Sequence, residues 1–419
     1  MAGSGDLTRR GVLSGAAALA ASAGFEPLLA RAARAAPRNA SPRSETVPFH
    51  GPHQAGIATA AQDYLHFAAF DMRAEGAGEL KGLLERWTAA AQKLTLGQPY
   101  EPAPSQAGRA PDDTGEALGS APARLTLTFG FGPSLFASGT HGDRFGLRHA
   151  RAAELRPLPP FHGERLDPAS SGGDLCVQAC ADDPQVAFHA IHVLARAAGA
   201  TAALRWSQQG FGRTSSTSRS QPTPRNLMGF KDGTNNVRGE DTEALEEFVW
   251  TRRTDGPRWL AGGTYLISRR IRMLFHAWDA STLEAQQRTV GREKRSGAPL
   301  GARREHDPVD LHATRADGQL VIPADAHIRL ASPKDNGGAE ILRRGYSYGA
   351  GVEPASGEID AGLFFIAFQR SPRRQFIPIQ RRLAASDALS RFTVHTSSAI
   401  FACPPGILPG GFIGELLFS

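Results

Sequence analysis

Asp232 is the first residue whose surroundings suggest chemistry. It lies between glycines in the run Gly229-Phe-Lys-Asp-Gly-Thr-Asn-Asn236. Glycines allow tight turns and a close approach of the backbone to a ligand, so this run could aim a carboxylate into a cavity. Taken alone, an Asp-Gly pair is more often a plain turn. The run is therefore either a turn or part of a site.

A histidine and an arginine further along the chain could complete a site of this kind. His327 lies in the run Asp325-Ala-His-Ile-Arg-Leu330, and Arg343 follows it sixteen residues later. A haem iron needs one neutral imidazole ligand, and peroxide cleavage needs a proton carrier and a positive charge on the opposite face. His327, Asp232 and Arg343 could supply these three functions. A lone histidine among thirteen is nevertheless more often a surface or core residue.

Four segments in order carry a family resemblance: Pro48–Ile57, Gly229–Thr234, Asp325–Arg329 and Leu342–Tyr346. With them the chain resembles the dye-decolorising peroxidases over nearly its whole length after the N-terminal segment. The similarity is greatest to the twin-arginine-exported deferrochelatase subgroup. The G-x-x-D-G element at Gly229 is typical of this family.

The resemblance implies a role for each candidate residue. His327 would be the proximal ligand of the iron of one haem b per chain. Asp232 would be the distal acid–base residue, and Arg343 the distal arginine beside the peroxide. Arg329 would contact a haem propionate. An acid such as Asp387 is a candidate acceptor for the second ring nitrogen of His327.

Two positions leave alternatives open. Arg344 could take the distal role, although alignment on Arg-Arg-Gly-Tyr favours Arg343. Some subgroups of the family carry an asparagine two places after that arginine, where this chain has Gly345. The absence of this asparagine leaves more of the proton handling to Asp232 and Arg343.

The resemblance also implies substrates and partners. Hydrogen peroxide would be reduced, and dyes or other bulky one-electron donors would be oxidised through aromatic side chains. The candidates for this transfer are Trp250, Trp259, Tyr346 and Tyr348, although residues of these types are more often core residues. The alternative is a deferrochelatase that releases iron from haem beside an iron-uptake permease. A binding protein without haem is a third possibility. A homodimer is the expected oligomeric state.

Residues 1–36 resemble a twin-arginine signal peptide. Arg9-Arg10 precede a weakly apolar run, Leu13–Ala23, that is too short to cross a membrane permanently, and small-x-small sites follow it. A disordered tail rich in Ala and Arg is the alternative. Export predicts a periplasmic, extracellular or cell-surface location for a protein that is exported folded.

The composition excludes several other classes of protein. With 41% hydrophobic and 21% charged residues the chain is an ordinary globular protein, and its net charge of +6 comes mainly from scattered arginines. We therefore expect no nucleic-acid partner. The three cysteines contain no C-x-x-C pair, which favours buried thiols at Cys176 and Cys180 over a bridge or a zinc site.

The hydrophobic pattern predicts the elements that must position these residues. The first half, residues 47–212, indicates the order β-α-β-β-α-β, and the second half, residues 213–419, repeats this order as far as its second helix. We therefore expect an α+β chain of two ferredoxin-like domains, a duplicated β-α-β-β-α-β, with haem in the second. The predicted strands are 65–70, 125–129, 174–179, 201–209, 263–274, 346–348 and 362–369. The predicted helices are 78–94, 184–198, 282–290 and one near 387–392. A polar insertion, 291–342, carries His327, and loops of that length are usually functional.

Overall fold

The first half of the chain contains strands and helices in the order that its hydrophobic pattern predicts. The computed structural model of the protein describes residues 44–103, 106–139 and 141–419. Helix α1 buries residues three and four apart, such as Leu80, Leu84 and Trp87, which is the spacing of one helix face. The elements of this half are β1 Tyr64–Met72, α1 Ala77–Leu94, β2 Thr126–Phe131, the short α2 Pro133–Phe136, β3 Leu175–Ala181, α3 Pro184–Ala198 and β4 Ala202–Arg213.

The second half repeats this order with an insertion before its second strand. Its elements are α4 Thr242–Phe248, β5 Thr264–Met273, α5 Phe275–Asp279, α6 Leu283–Val290, α7 His327–Leu330, β6 Leu342–Arg343, β7 Tyr346–Val352, β8 Ile359–Gln369, α8 Phe376–Ser386 and β9 Thr393–Cys403. The insertion 291–342 is mostly irregular, as expected. Its longest regular element is the single-turn helix α7, which begins at His327.

Strands from both halves join in one antiparallel sheet. In the described part of the chain the order is β5-β9-β2-β3-β1-β4-β7-β8, and β8 pairs again with β5, so these eight strands close into a barrel. Among the described strands, the short β6 pairs with β8 alone. The strand order within the first half, β2-β3-β1-β4, is the same as that of β7-β8-β5-β9 in the second half.

Large aromatic side chains fill the inside of the barrel. Phe67 of β1 lies 5.4 Å from Phe364 of β8 and 6.1 Å from Phe401 of β9, measured between ring centroids. Neither of these strands is paired with β1, so the rings meet across the barrel. Cys176, Cys180 and Cys403 are buried free thiols, which confirms the prediction for the first two.

The end of the second half differs from the prediction. The main helix is α8, at 376–386, and the predicted helix near 387–392 is only a 3-10 turn, Ala388–Phe392. Helix α8 contains Pro378 in its first turn, where proline is tolerated. Strand β9 was not predicted, because the pairing of β5 with β9 shifts register between Arg270 and Ile271 and disturbs the alternation.

Two further observations concern the export prediction. The predicted signal peptide, residues 1–36, lies outside the described residues. None of the helices in the described ranges has the length and apolar character needed to cross a membrane.

Candidate active site

The loop that carries Asp232 is a tight turn that approaches the rest of the protein closely. Gly229 and Gly233 have φ angles of +83° and +84°, a region that glycine adopts without strain. A Cβ atom on Gly233 would lie 2.7 Å from the Cα atom of Ser215. Asn226 closes the start of the loop, since its Oδ1 accepts hydrogen bonds from the backbone N–H groups of Met228 and Phe230. The local sequence thus fixes the direction of the Asp232 carboxylate.

Asp232 and Arg343 are in direct contact. The Nη1 atom of Arg343 donates to Oδ1 of Asp232 at 2.7 Å, and Nδ2 of Asn226 donates to Oδ2 at 3.2 Å. The side chains of Arg343 and Asp232 keep 28% and 16% of their surface accessible. The structure therefore brings two of the predicted residues together, 111 positions apart, with polar atoms that a ligand can still reach.

Arg344, the alternative distal arginine, has a different role. Successive side chains of an extended segment point to opposite faces, and Arg344 is completely buried away from Asp232. Its guanidinium donates to the carbonyl of Thr59 and to the side chain of Gln62. Of the two arginines, only Arg343 contacts Asp232.

His327 begins α7, and its ring is oriented by an acid 60 positions away. The Nδ1 atom of His327 lies 2.6 Å from Oδ2 of Asp387, which confirms the expected contact. The backbone N–H of Ala388 also donates to the carbonyl of Asp325 at 2.9 Å, so the two segments are joined twice. With Nδ1 occupied, Nε2 is the ring atom left for a ligand.

The charge environment of His327 includes the other two residues. Burial opposes protonation of His327, but the Asp387 carboxylate outweighs burial, so the pKa of His327 is raised. Asp232 also raises this pKa and Arg343 lowers it. The three predicted residues are thus within electrostatic reach of one another, and 32% of the His327 side chain remains accessible.

An apolar cluster adjoins these polar groups. It includes Phe230 of the Asp232 loop and Leu389 and Phe392 of the segment that follows Asp387. The remaining members are Met228, Met273, Phe275, Trp278, Val290 and Leu363. A site with one free imidazole nitrogen, a carboxylate–guanidinium pair and an apolar wall suits a large, flat, mostly apolar ligand that contains a metal.

Comparison with known proteins assigns the chain to a family. Two family models match, "Dyp-type peroxidase, N-terminal" over residues 54–212 and "Dyp-type peroxidase, C-terminal" over residues 223–408. The chain belongs to the Dyp-type peroxidase family. The C-terminal match contains Asp232, His327 and Arg343.

Family members of known name and structure extend this result. The Dye-decolorizing peroxidase of Thermobifida fusca (strain YX) is 39% identical over 377 residues, which cover 87% of this chain and 84% of that protein. The Deferrochelatase of Escherichia coli (strain K12) is 35% identical over 408 residues, which cover 96% and 94%. The structure of ferric DtpA from Streptomyces lividans matches with a TM-score of 0.81 and 41% identity, and covers 90% of this chain and 98% of that chain.

In this member of the Dyp-type family, Arg329 supports the insertion. Its Nε donates to the carbonyl of Pro323, and its Nη2 donates to the carbonyls of Leu311 and Ile322. These contacts give Arg329 a structural role, and the propionate contact that the resemblance implied stays a prediction.

Gly345 occupies a position with no space for a side chain. A Cβ atom there would lie 2.8 Å from Oγ1 of Thr214 and 3.0 Å from Cδ1 of Leu363. A side chain at position 345 would therefore require Thr214 and Leu363 to move. Two other asparagines, Asn226 and Asn236, were missed by sequence reasoning, and both contact the Asp232–Arg343 pair.

The insertion is joined to the Asp232 loop through Glu305. Lys231 forms an ion pair with Glu305, and Thr234 donates to it at 3.1 Å. Burial opposes ionisation of Glu305, but hydrogen bonds from Lys231, Thr223 and Thr234 outweigh it and lower its pKa. The insertion thus contacts the Asp232 loop through Glu305 and supplies His327.

The four aromatic candidates for electron transfer are all buried. Trp250 stacks on His53 with 3.8 Å between ring centroids, and Trp259 stacks on Phe136. The four are exposed by 4% or less: Trp250, Trp259, Tyr346 and Tyr348. Each therefore has a packing role, and a path to the surface through any of them would need further residues.

Proposed function

We propose that the protein is a haem-dependent peroxidase that reduces hydrogen peroxide and oxidises dyes or other bulky one-electron donors. The observation that carries this proposal is the Asp232–Arg343 contact of 2.7 Å within electrostatic reach of His327. A passive haem carrier needs the histidine but has no use for such a pair. The name and the 39% identity of the T. fusca peroxidase support the substrate class.

The residues of the site fit haem b. His327 would hold the iron through Nε2, because Asp387 occupies Nδ1. The apolar cluster around Phe230 and Leu389 would cover the ring. Haem, when bound, supplies the iron that reduces peroxide and then accepts electrons from the one-electron donors.

The chain's own residues would handle the proton and the charge. Asp232 would take a proton from one peroxide oxygen and deliver it to the other, which is general acid–base catalysis. Arg343 would hold the carboxylate in place and offset the negative charge that develops on the departing oxygen. Asn226, at 3.2 Å from the second carboxylate oxygen, would restrict rotation of Asp232.

A second function, iron release from haem, is favoured by one comparison. The Deferrochelatase of E. coli is 35% identical over 96% of this chain. The same pocket would hold haem for either reaction, and an iron-uptake permease would be the partner of a deferrochelatase. Detection of protoporphyrin after incubation with haem, against a control without protein, would separate this function from peroxidase turnover.

The finer architecture and the location are also proposals. Each half would be a ferredoxin-like unit, which is supported by the element order and by the shared strand order β2-β3-β1-β4 and β7-β8-β5-β9. Export by the twin-arginine route is supported by Arg9-Arg10 and the weakly apolar run after them. Replacing both arginines by lysine should block export, and sedimentation should test the expected homodimer.

The main proposal is tested by absorption spectroscopy and turnover. Purified protein reconstituted with haem should show a Soret band and oxidise an anthraquinone dye only when peroxide is added. The His327→Ala variant should lose the Soret band, or its bound haem iron should have a different spin state. A protein that takes up no haem, or a His327→Ala variant with an unchanged spectrum, would contradict the proposal.

A further inference from the structure

The backbone of Arg343 lies in an edge strand that another strand does not cover on its outer side. Strand β6 pairs with β8 through Leu342 and Arg343, and β8 is its only strand partner among the described residues. An uncovered edge leaves backbone N–H and C=O groups that need other partners when they are buried. The outer N–H and C=O groups of Arg343 both have the same partner, a side chain.

That partner is Asn236, the last residue of the Asp232 loop. Its Oδ1 accepts a hydrogen bond from the Arg343 N–H at 2.8 Å, and its Nδ2 donates to the Arg343 carbonyl at 2.8 Å. A primary amide presents a donor and an acceptor side by side, as a peptide group does. Asn236 therefore takes the place of a neighbouring strand at this one residue.

The amide of Asn236 is itself held in place. It is 8% exposed, and its Nδ2 also donates to the carbonyl of Ser216 at 3.0 Å. The Oγ of Ser215 donates to the Arg343 carbonyl at 2.8 Å. The backbone of Arg343 is therefore fixed from one side by Asn236 and by the 215–216 segment.

One short loop thus holds both ends of Arg343. Asp232 binds the guanidinium at 2.7 Å, and Asn236, four residues later, binds the backbone N–H and C=O. The backbone N–H of Asn236 donates to the carbonyl of Gly233, which closes the turn between the two. The length of this loop sets where the Arg343 guanidinium can lie relative to the Asp232 carboxylate.

We propose that Asn236 is a positioning residue for the reaction with peroxide, acting through the backbone of Arg343. The inference rests on the proposed peroxidase function. Without the amide, the edge strand can shift, and the guanidinium no longer meets the carboxylate in one fixed geometry. Small displacements of positioned groups are costly in rate.

Hydrogen exchange tests the contact directly and does not depend on activity. In Asn236→Ser, the amide of Arg343 should exchange about five- to tenfold faster, as expected for the loss of one hydrogen bond. The amide of Arg344 donates to the carbonyl of Ile366 and should be unchanged. The matched control is Asn235→Ser, because Asn235 is the exposed neighbour. Unchanged exchange at Arg343 would overturn the proposal.

Kinetics test whether the effect passes through Arg343. With haem content equalised by the Soret absorbance, Asn236→Ser should lower the rate constant with peroxide by about tenfold or more. In an Arg343→Leu background the same substitution should cause no further decrease, since residues that act as one unit are not additive. Effects that multiply would show an independent structural role and overturn the proposal.

Two further outcomes remain distinguishable. Should Asn236→Ser fail to fold, Asn236→Asp keeps the volume and the acceptor for the Arg343 N–H but loses the donor to the Arg343 carbonyl. The kinetic measurement and its Arg343→Leu background then decide, and a rate constant equal to that of the unsubstituted protein would overturn the proposal. If the unsubstituted protein binds haem but shows no reaction with peroxide, the proposed function is wrong and the positioning role falls with it. The exchange measurement then still reports whether Asn236 holds Arg343.

Discussion

The Nδ1 atom of His327 lies 2.6 Å from Oδ2 of Asp387, and Oδ1 of Asp387 accepts a hydrogen bond from the backbone N–H of Leu389 at 2.9 Å. The acid is therefore held by its own chain and in turn holds the imidazole. A carboxylate in this position fixes the tautomer and the ring orientation, and increases the donor strength of the other nitrogen. This arrangement favours electron donation to a metal at Nε2.

Replacing Asp387 by Asn keeps a hydrogen-bond acceptor but removes the charge. We expect haem to remain bound while peroxide turnover falls by about 10- to 100-fold, the range for partners of metal ligands. The reduction potential of the bound iron should rise, which spectroelectrochemistry would measure. Asp317→Asn, an exposed acid of the same insertion, is the control. Equal potentials in the two variants would contradict the role given to Asp387.

Replacing Asp232 by Asn preserves the shape of the side chain and removes the proton carrier. The rate constant with peroxide should fall by about 10²- to 10⁴-fold, the usual contribution of a general acid–base group. Stopped-flow absorbance at the Soret band measures it, with the haem-to-protein ratio unchanged. Asp310→Asn, at an exposed turn, should react at the normal rate. If Asp232→Asn also reacted normally, the acid–base assignment would be wrong and Arg343 would be tested next.

The candidate site was predictable where the chemistry is local in sequence. Asp232 is preceded and followed by glycines, and this short run is enough to identify it as a candidate site residue. Asn236 lies in the same run, but its partner Arg343 is 107 positions away, and nothing in the sequence indicates that contact. Asn226 was missed for a different reason, because an asparagine before a turn resembles an ordinary loop residue.

The fold was predictable where one face of an element is regularly apolar. Helix α1 and strand β2 were found within two residues of their ends at both termini, because their buried faces are continuous. Closure of the barrel was not predicted, since it depends on long-range pairs such as Phe211 with Ser347 and Phe131 with Ala402. Such pairs follow from how two sheets meet, and alternation within one strand carries no information about them.

Gly291 ends helix α6 and lies against α7, the helix that His327 begins. Its φ is +90°, and a Cβ atom would lie 2.6 Å from Cγ1 of Ile328. Gly291→Ala should destabilise the protein by about 2–4 kcal/mol, from backbone strain and overpacking together. It should also speed the transfer of haem to an acceptor protein, because the clash displaces the residue next to His327.

Gly318 is the matched control for this substitution. It lies in the same insertion with a φ of +80°, and nothing lies within 4 Å of its Cβ position. Gly318→Ala should cost only the backbone term of about 1–2 kcal/mol and leave haem transfer unchanged. Calorimetry and transfer kinetics on both variants measure the difference. Equal haem transfer in the two would show that the contact with Ile328 does not act on the ligand.

His66 of β1 should make the fold sensitive to acid. Its Nδ1 is buried without a hydrogen-bond partner among the described residues, and burial lowers the pKa of His66 from 6.5 to about 4. The folded state therefore favours the neutral ring, while the unfolded chain binds a proton below pH 6.5. This contribution to stability is fully present above pH 6.5 and is lost as the pH falls towards 4, by about 3 kcal/mol in total.

His66→Gln should flatten the decline in the free energy of unfolding across this window, whereas His312→Gln, at an exposed position, should follow the unsubstituted protein. A His66→Gln variant that declined as steeply as the unsubstituted protein between pH 6.5 and 4 would rule out His66 as the source.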